Sequence, residues 1–230
     1  MPLWYSGAVK VTTKALVGFA AFALAGVSST ERAAADVFET SAQLQTGYSG
    51  GQGLSGEVQD SAFAAGATGY TYGARAGFRI ALFEGWIEHN QFLGGDGLLG
   101  TWTQFMAGPR VEVGFGGARV GAKLEGGEIV GAYPRYFGTL GVGVGYGIGT
   151  GQQVEPPRSN TQATDTGVVA QARAGLGFRI DEMYSLRLTV PIEGGYLFKG
   201  GDGHDASEQD SDYRSVRAAA LLGFRMRLGF

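Results

Sequence analysis

The chain contains no cysteine. This excludes disulfides, cysteine-ligated metals, a thiol nucleophile and a lipid-bearing N-terminal cysteine. Histidine occurs only at His89 and His204, and no spacing of ligand residues reads as a zinc site or an EF-hand loop. There is no Walker motif and no basic stripe interleaved with aromatics. A formal charge of −3 gives nucleic acid no reason to bind. Nothing implies a cofactor or a metal. Beyond the N-terminus no segment approaches 18 consecutive apolar residues, so no helix is expected to cross a membrane. This leaves a barrel open, because there the apolar signal is spread over alternate residues.

The N-terminal run is the exception. Ala15–Val27 is an apolar stretch preceded by Lys10 and Lys14, and it is too short to span a bilayer comfortably. Ala33 and Ala35 place small side chains where a signal peptidase needs them. Residues 1–35 are therefore expected to be a cleavable signal peptide, and 36–230 the mature domain. Export without cysteine fits the bacterial envelope.

Glycine is abundant, at 42 of 230 residues. In Leu140–Gly149, "LGVGVGYGIG", it returns at every second position. A dinucleotide loop needs glycines at i, i+2 and i+5, and glycines confined to odd positions cannot supply the first and last together. On a strand, successive side chains point to opposite faces. Leu140, Val142, Val144, Tyr146 and Ile148 then form one greasy face, and the other face is nearly bare.

The same parity recurs. Val216 to Phe230 places Leu222, Phe224, Met226 and Leu228 opposite Arg217, Arg225 and Arg227. Val168 to Ile180 opposes its apolar residues to Gln171, Arg173 and Arg179. Tyr184 to Phe198 opposes Leu186, Leu188, Val190 and Ile192 to Arg187 and Glu193. Tyr70 to Ile80 opposes its own apolar set to Arg75 and Arg79. Segments 83–93 and 101–115 alternate less cleanly. In the second, Phe105, Val111, Val113 and Phe115 oppose Gln104, Arg110 and Glu112.

Such runs exceed the usual soluble strand of about 5–6 residues. Their aromatics gather at two levels. Tyr48, Tyr70, Tyr72, Tyr146, Tyr196 and Tyr213 fall beside the long loops; Phe38, Phe78, Phe83, Phe115, Phe178 and Tyr184 fall toward the opposite ends. Two aromatic girdles mark the interfaces of a transmembrane barrel.

The ending, with Phe230 terminal and Leu228, Met226, Phe224 and Leu222 before it, resembles the C-terminal signature of bacterial outer-membrane β-barrels. Together with the period-2 segments it is similar to the small eight-stranded group, of the OmpA or OmpX type. The resemblance implies an up-and-down antiparallel barrel in outer-membrane lipid, with this last strand recognised by the barrel-assembly machinery during insertion.

Eight strands are expected at 37–48, 67–81, 83–93, 101–115, 136–149, 167–180, 184–199 and 213–230. The loops 49–66, 94–100, 150–167 and 200–212 should face outward, with tight periplasmic turns near 81–83 and 181–183. Residues 116–135 are either an elongated periplasmic connection or an extra hairpin giving ten strands; eight is preferred.

The glycine face should line the lumen and make room for Arg75, Arg79, Arg110, Arg173, Arg179, Arg187, Arg217, Arg225 and Arg227. Glu39, Glu84, Glu88, Glu112 and Glu193 are the inward carboxylates. Buried charges must be paired, so the lumen is expected to be a plug of ion pairs, with surplus arginines facing water at a mouth. A serine at Gly143 should cost much less than an arginine at lipid-facing Val144.

The expected role is a membrane-anchored scaffold displaying outer loops to a partner that the sequence does not identify, not an enzyme. The alternatives are a narrow channel or carrier, and a membrane-embedded hydrolase or acyltransferase using His89. His89 reads rather as a girdle or surface residue, and His204, among the acids of 200–212, as part of a solvated loop.

Overall fold

The computed structural model describes residues 38–53, 69–94, 97–116, 119–120, 123–125, 128–130, 133–152, 162–200 and 212–229. All of them belong to the second of two units into which the chain divides, Ala34–Phe230. The expected signal peptide, most of the outer loops 49–66 and 200–212, parts of 94–100 and 150–167, His204 and Phe230 lie outside the described residues.

The strands, in chain order, are β1 (Phe38–Gly53), β2 (Gly69–Ile80), β3 (Phe83–Gly94) and β4 (Gly97–Gly114). Four short ones follow: β5 (Arg119–Val120), β6 (Lys123–Glu125), β7 (Glu128–Val130) and β8 (Tyr133–Pro134). Then come β9 (Tyr136–Gln152), β10 (Gln162–Arg179), β11 (Tyr184–Gly200) and β12 (Asp212–Gly229). The eight long strands close an antiparallel barrel, each paired with its neighbours and β1 with β12. Closure removes both edges of this eight-stranded sheet.

The short strands join no barrel strand. They pair with one another in a single register, Arg119↔Pro134, Val120↔Tyr133 and then Lys123↔Val130, Leu124↔Ile129 and Glu125↔Glu128. Segment 116–135 is thus the elongated connection, at the barrel end where β1 starts and β12 stops, and the ten-strand alternative is excluded.

Parity follows from the turns. Odd residues face inward on β1, β2 and β9 to β12, but even residues do so on β3 and β4. The two-residue turn Ala81–Leu82 places Ile80 opposite Phe83, both outward, so the inward set changes parity there. Ala81 adopts φ +52°, a left-handed conformation costly for any residue with a Cβ. A register shift at Phe92/Leu93 then keeps β3 and β4 in phase. Segments 83–93 and 101–115 alternate less cleanly for another reason, since their inward faces carry the apolar Trp86, Phe92, Trp102 and Met106 among polar residues.

The ladder also fixes the girth. A path along paired residues runs Ser41, Gly77, Trp86, Met106, Gly145, Val169, Gly195, Ser215 and returns to β1 at Gly53, a stagger of 53 − 41 = 12 residues. At about 3.3 Å per residue that is roughly 40 Å of climb, against about 38 Å for eight strands spaced about 4.8 Å apart. The strands therefore tilt about 45° from the axis, and the backbone cylinder has a radius of about 9 Å. Such an interior must be filled by large side chains.

Candidate functional site: the filled lumen and its belt

The outward face is apolar around the whole barrel. Leu44, Phe78, Phe83, Phe105, Val142, Val144, Val168, Leu176, Leu188, Ile192 and Leu222 are all exposed. Tyr48, Tyr70, Tyr72, Tyr146 and Tyr196 ring its outer margin; Phe38, Phe78, Phe83, Phe115 and Tyr136 ring the other. The side chain of Tyr213 lies outside the described set. A closed barrel with a greasy belt between two aromatic girdles spans a membrane, and barrels of this build belong to the bacterial outer membrane. Leu222, Phe224, Met226 and Leu228 of the expected assembly signal all point outward into this belt. His89 also points outward, and its Nδ1 meets Thr103 Oγ1 at 2.8 Å.

The lumen is layered. Nearest the termini it is ionic. Glu39 binds Arg79 at 2.8 Å and also Arg225, with Arg227 at 3.8 Å. Glu84 binds Arg75 and Arg110, each at 3.0 Å. Glu112 is a hub for Arg110 at 2.9 Å, Arg187 at 3.3 Å and Arg179. Above this layer Glu88 takes Arg173, and also Gln45 Nε2 at 3.0 Å and Asn90 Nδ2 at 2.8 Å. Higher still, Glu193 accepts Arg217 at 3.2 Å and Gln171 at 3.0 Å. Each of the nine predicted arginines and five predicted glutamates faces the lumen and is ion-paired.

The expectation of spare arginines at a mouth is not met. Of the nine, Arg79 has the most exposed side chain in these pairs, at 15%. Carboxylates are shared by up to three guanidiniums, and aromatic faces hold the cations from another side. Arg75 lies 4.4 Å from the Trp86 centroid, and Arg179 and Arg187 each lie 4.6 Å from that of Phe137. Tyr133, at the foot of the hairpin in the elongated connection, lies 4.4 Å from Arg227 and 5.2 Å from Arg179. The Pro134 carbonyl accepts from Arg179 Nη1 at 3.2 Å. The elongated connection therefore folds against the ionic layer at the mouth where β1 starts and β12 stops.

Between the ionic layers and above them, the lumen holds what sequence reasoning missed. Trp86, Phe92, Trp102, Met106, Val169 and Leu197 form a buried apolar cluster. Trp86, Phe92, Trp102 and Met106 are even-numbered residues of β3 and β4, on the same side as Glu84, Glu88, Gln104 and Arg110. That shared parity was the available signal.

On β9 the indole rings occupy the glycine face at Gly143, Gly147 and Gly149, while Gly141 borders Arg110. A Cβ on Gly147 would overlap the Trp102 indole, and one on Gly149 would meet its Cε3 at 2.9 Å. A Cβ on Gly143 would overlap Trp86, and one on Gly177 of β10 would overlap Phe137. The expected ease of a serine at Gly143 is thereby overturned.

No protein-family model matches this chain, and no curated protein matches it either. Among solved structures it is similar to Neisserial surface protein A, at 9% identity and TM-score 0.46, over 82% of this chain and 96% of that one. It is also similar to the N-terminal β-barrel domain of Pseudomonas aeruginosa OprF, at 15% identity and TM-score 0.40, over 82% and 97%. A third is Ail, the attachment invasion locus protein of Yersinia pestis, at 11% identity and TM-score 0.35, over 83% and 98%.

Proposed function

We propose that the protein is a sealed outer-membrane scaffold that displays its outer loops. The observation that carries this reading is the occupancy of the lumen. Its cavity measures about 30 Å³, where one water needs roughly 10–15 Å³. Ion pairs and the aromatic rings packed against them fill the lumen from end to end, so among the described residues no water path for a solute is supported. The barrel also stands above its belt on the outer side. The β9–β10 ladder continues from Tyr146 to Gln152↔Gln162. Six more residues at about 3.3 Å, tilted about 45°, lift the loop base by roughly 14 Å. A rigid stalk of this kind holds loops clear of the lipid surface. We further propose that β12 is the strand read by the assembly machinery.

Planar-bilayer recording of the refolded protein tests the reading. Membranes that accept the barrel yet show no stepwise conductance are expected. Steady, reproducible conductance steps would refute the sealed lumen and favour the narrow channel.

A further inference from the structure

The lumen cavity is walled by Arg75, Arg110, Arg173, Arg187 and Arg225, with Glu84 as the carboxylate among them. The other acids that pair with these arginines, Glu39, Glu88 and Glu112, are not part of its wall. Arg173 is drawn upward to Glu88; Arg187 and Arg225 are drawn downward to Glu112 and Glu39. The space between the layers therefore faces an excess of guanidinium. Arg225, whose side chain is 4% exposed, keeps its Nε without a hydrogen-bond partner. The charge count points the same way, since among the described inward side chains nine arginines stand against six carboxylates, the five glutamates and buried Asp165. Like charges packed in low dielectric repel strongly, and an enclosed counter-charge relieves this.

We infer that this cavity is a binding site for a small inorganic monovalent anion of halide size. Its volume of about 30 Å³ admits one to three water-sized ligands. The hydroxyl-bearing Thr139 and Thr189 on the wall supply further donors. The anion ties the Glu88 layer to the Glu39–Glu112 layer and is sealed in with the fold. It is a structural counter-ion, and its presence does not depend on what the loops bind.

Bromide, a halide with a usable anomalous signal, is the probe. The protein is refolded from denaturant and crystallised with sodium bromide as the only halide salt, and diffraction is measured at the bromine edge. A peak in the lumen within hydrogen-bonding reach of Arg225 and a neighbouring arginine is expected. A lumen holding water alone, or bromide confined to the outer surface, overturns the inference.

A second readout needs no crystal. The unfolding midpoint on an unboiled detergent gel is compared for protein refolded and kept in bromide and in gluconate at equal ionic strength. A saturable rise of about 2–4 °C in bromide is expected. Equal midpoints in the two salts overturn the inference. Gly141→Val narrows the cavity from a position where a Cβ meets nothing closer than 3.4 Å, so this variant should fold and lose the bromide response. Conductance steps would sink the sealed-lumen reading while leaving the bromide peak as the arbiter of this one.

Discussion

Gly147→Ala isolates the packing argument in one methyl group. The new Cβ would overlap the Trp102 ring, where carbon atoms need about 3.5–4.0 Å. The indole has nowhere to retreat, since Trp102 is 0% exposed and shares its cluster with Phe92, Met106, Val169 and Leu197. Overpacking of this kind costs about 1–3 kcal/mol. Replacing glycine also removes freedom from the unfolded chain, a gain of about 0.4–1 kcal/mol. The net expectation is a loss of about 1–2 kcal/mol. Gly138→Ala, on the same strand, is the control. Its Cβ would meet Phe115 at 3.6 Å, an ordinary contact, so only the entropic gain remains. The assay is urea unfolding of both variants from detergent micelles or vesicles. Trp102→Ala should cost about 3–5 kcal/mol alone, and adding Gly147→Ala to it should cost nothing further. Equal effects of the two alanines, or strict additivity with Trp102→Ala, would refute the claim that β9 is glycine-rich to seat indole rings.

Other substitutions probe other layers of the same wall. Val144→Arg, on the lipid face at 65% exposure, should cost about 2–4 kcal/mol in vesicle unfolding; a cost below 1 would contradict its outward facing. Gly143→Ser should cost about 1–3 kcal/mol in the same assay because it strikes Trp86, and neutrality there would place the ring elsewhere. Glu112→Gln keeps the shape but leaves Arg110, Arg179 and Arg187 without their shared carboxylate. Removing one partner of a buried ionic set costs about 3–5 kcal/mol, so a loss near zero would mean that the hub is solvated. Ala81→Gly relieves the left-handed backbone of the β2–β3 turn and should raise stability by up to about 1 kcal/mol, read as a higher urea midpoint; a fall would show that the turn is not strained.

The barrel was legible because lipid and lumen impose opposite demands on neighbouring residues. Tyr146 must meet hydrocarbon and Gly147 must not fill the lumen, and a strand separates them by one position. Nothing local hides that contrast, so the spans of β9, β10, β11 and β12 read cleanly. The pairing partners were less legible. Glu112 and Arg187 are far apart in sequence, and only the ladder brings them within 3.3 Å. Even so, the requirement that buried charges find partners was enough to place both inside. The outer limits of the strands were missed for a different reason. Beyond the girdles water replaces lipid, so alternation fades while the hydrogen-bonded ladder continues, and β10 begins at Gln162 rather than at 167.

What alternation could not report was girth. The same period-2 pattern suits barrels of different stagger, since stagger is set by how each strand slides against the next. Here the bulge at Phe92/Leu93 and the two-residue turn at Ala81–Leu82 help fix it. The resulting twelve-residue offset opens a wide interior that arginines alone fill poorly. A guanidinium is slender and must be held by carboxylates, whereas an indole fills volume without needing a counter-charge. Two tryptophans and a run of bare glycines therefore answer one geometric problem. The indoles supply bulk from β3 and β4, and β9 gives up its side chains to receive them. Alanines along the inner face of β9 would demand a narrower filling, so the glycine repeat and the inverted parity of β3 and β4 have to occur together.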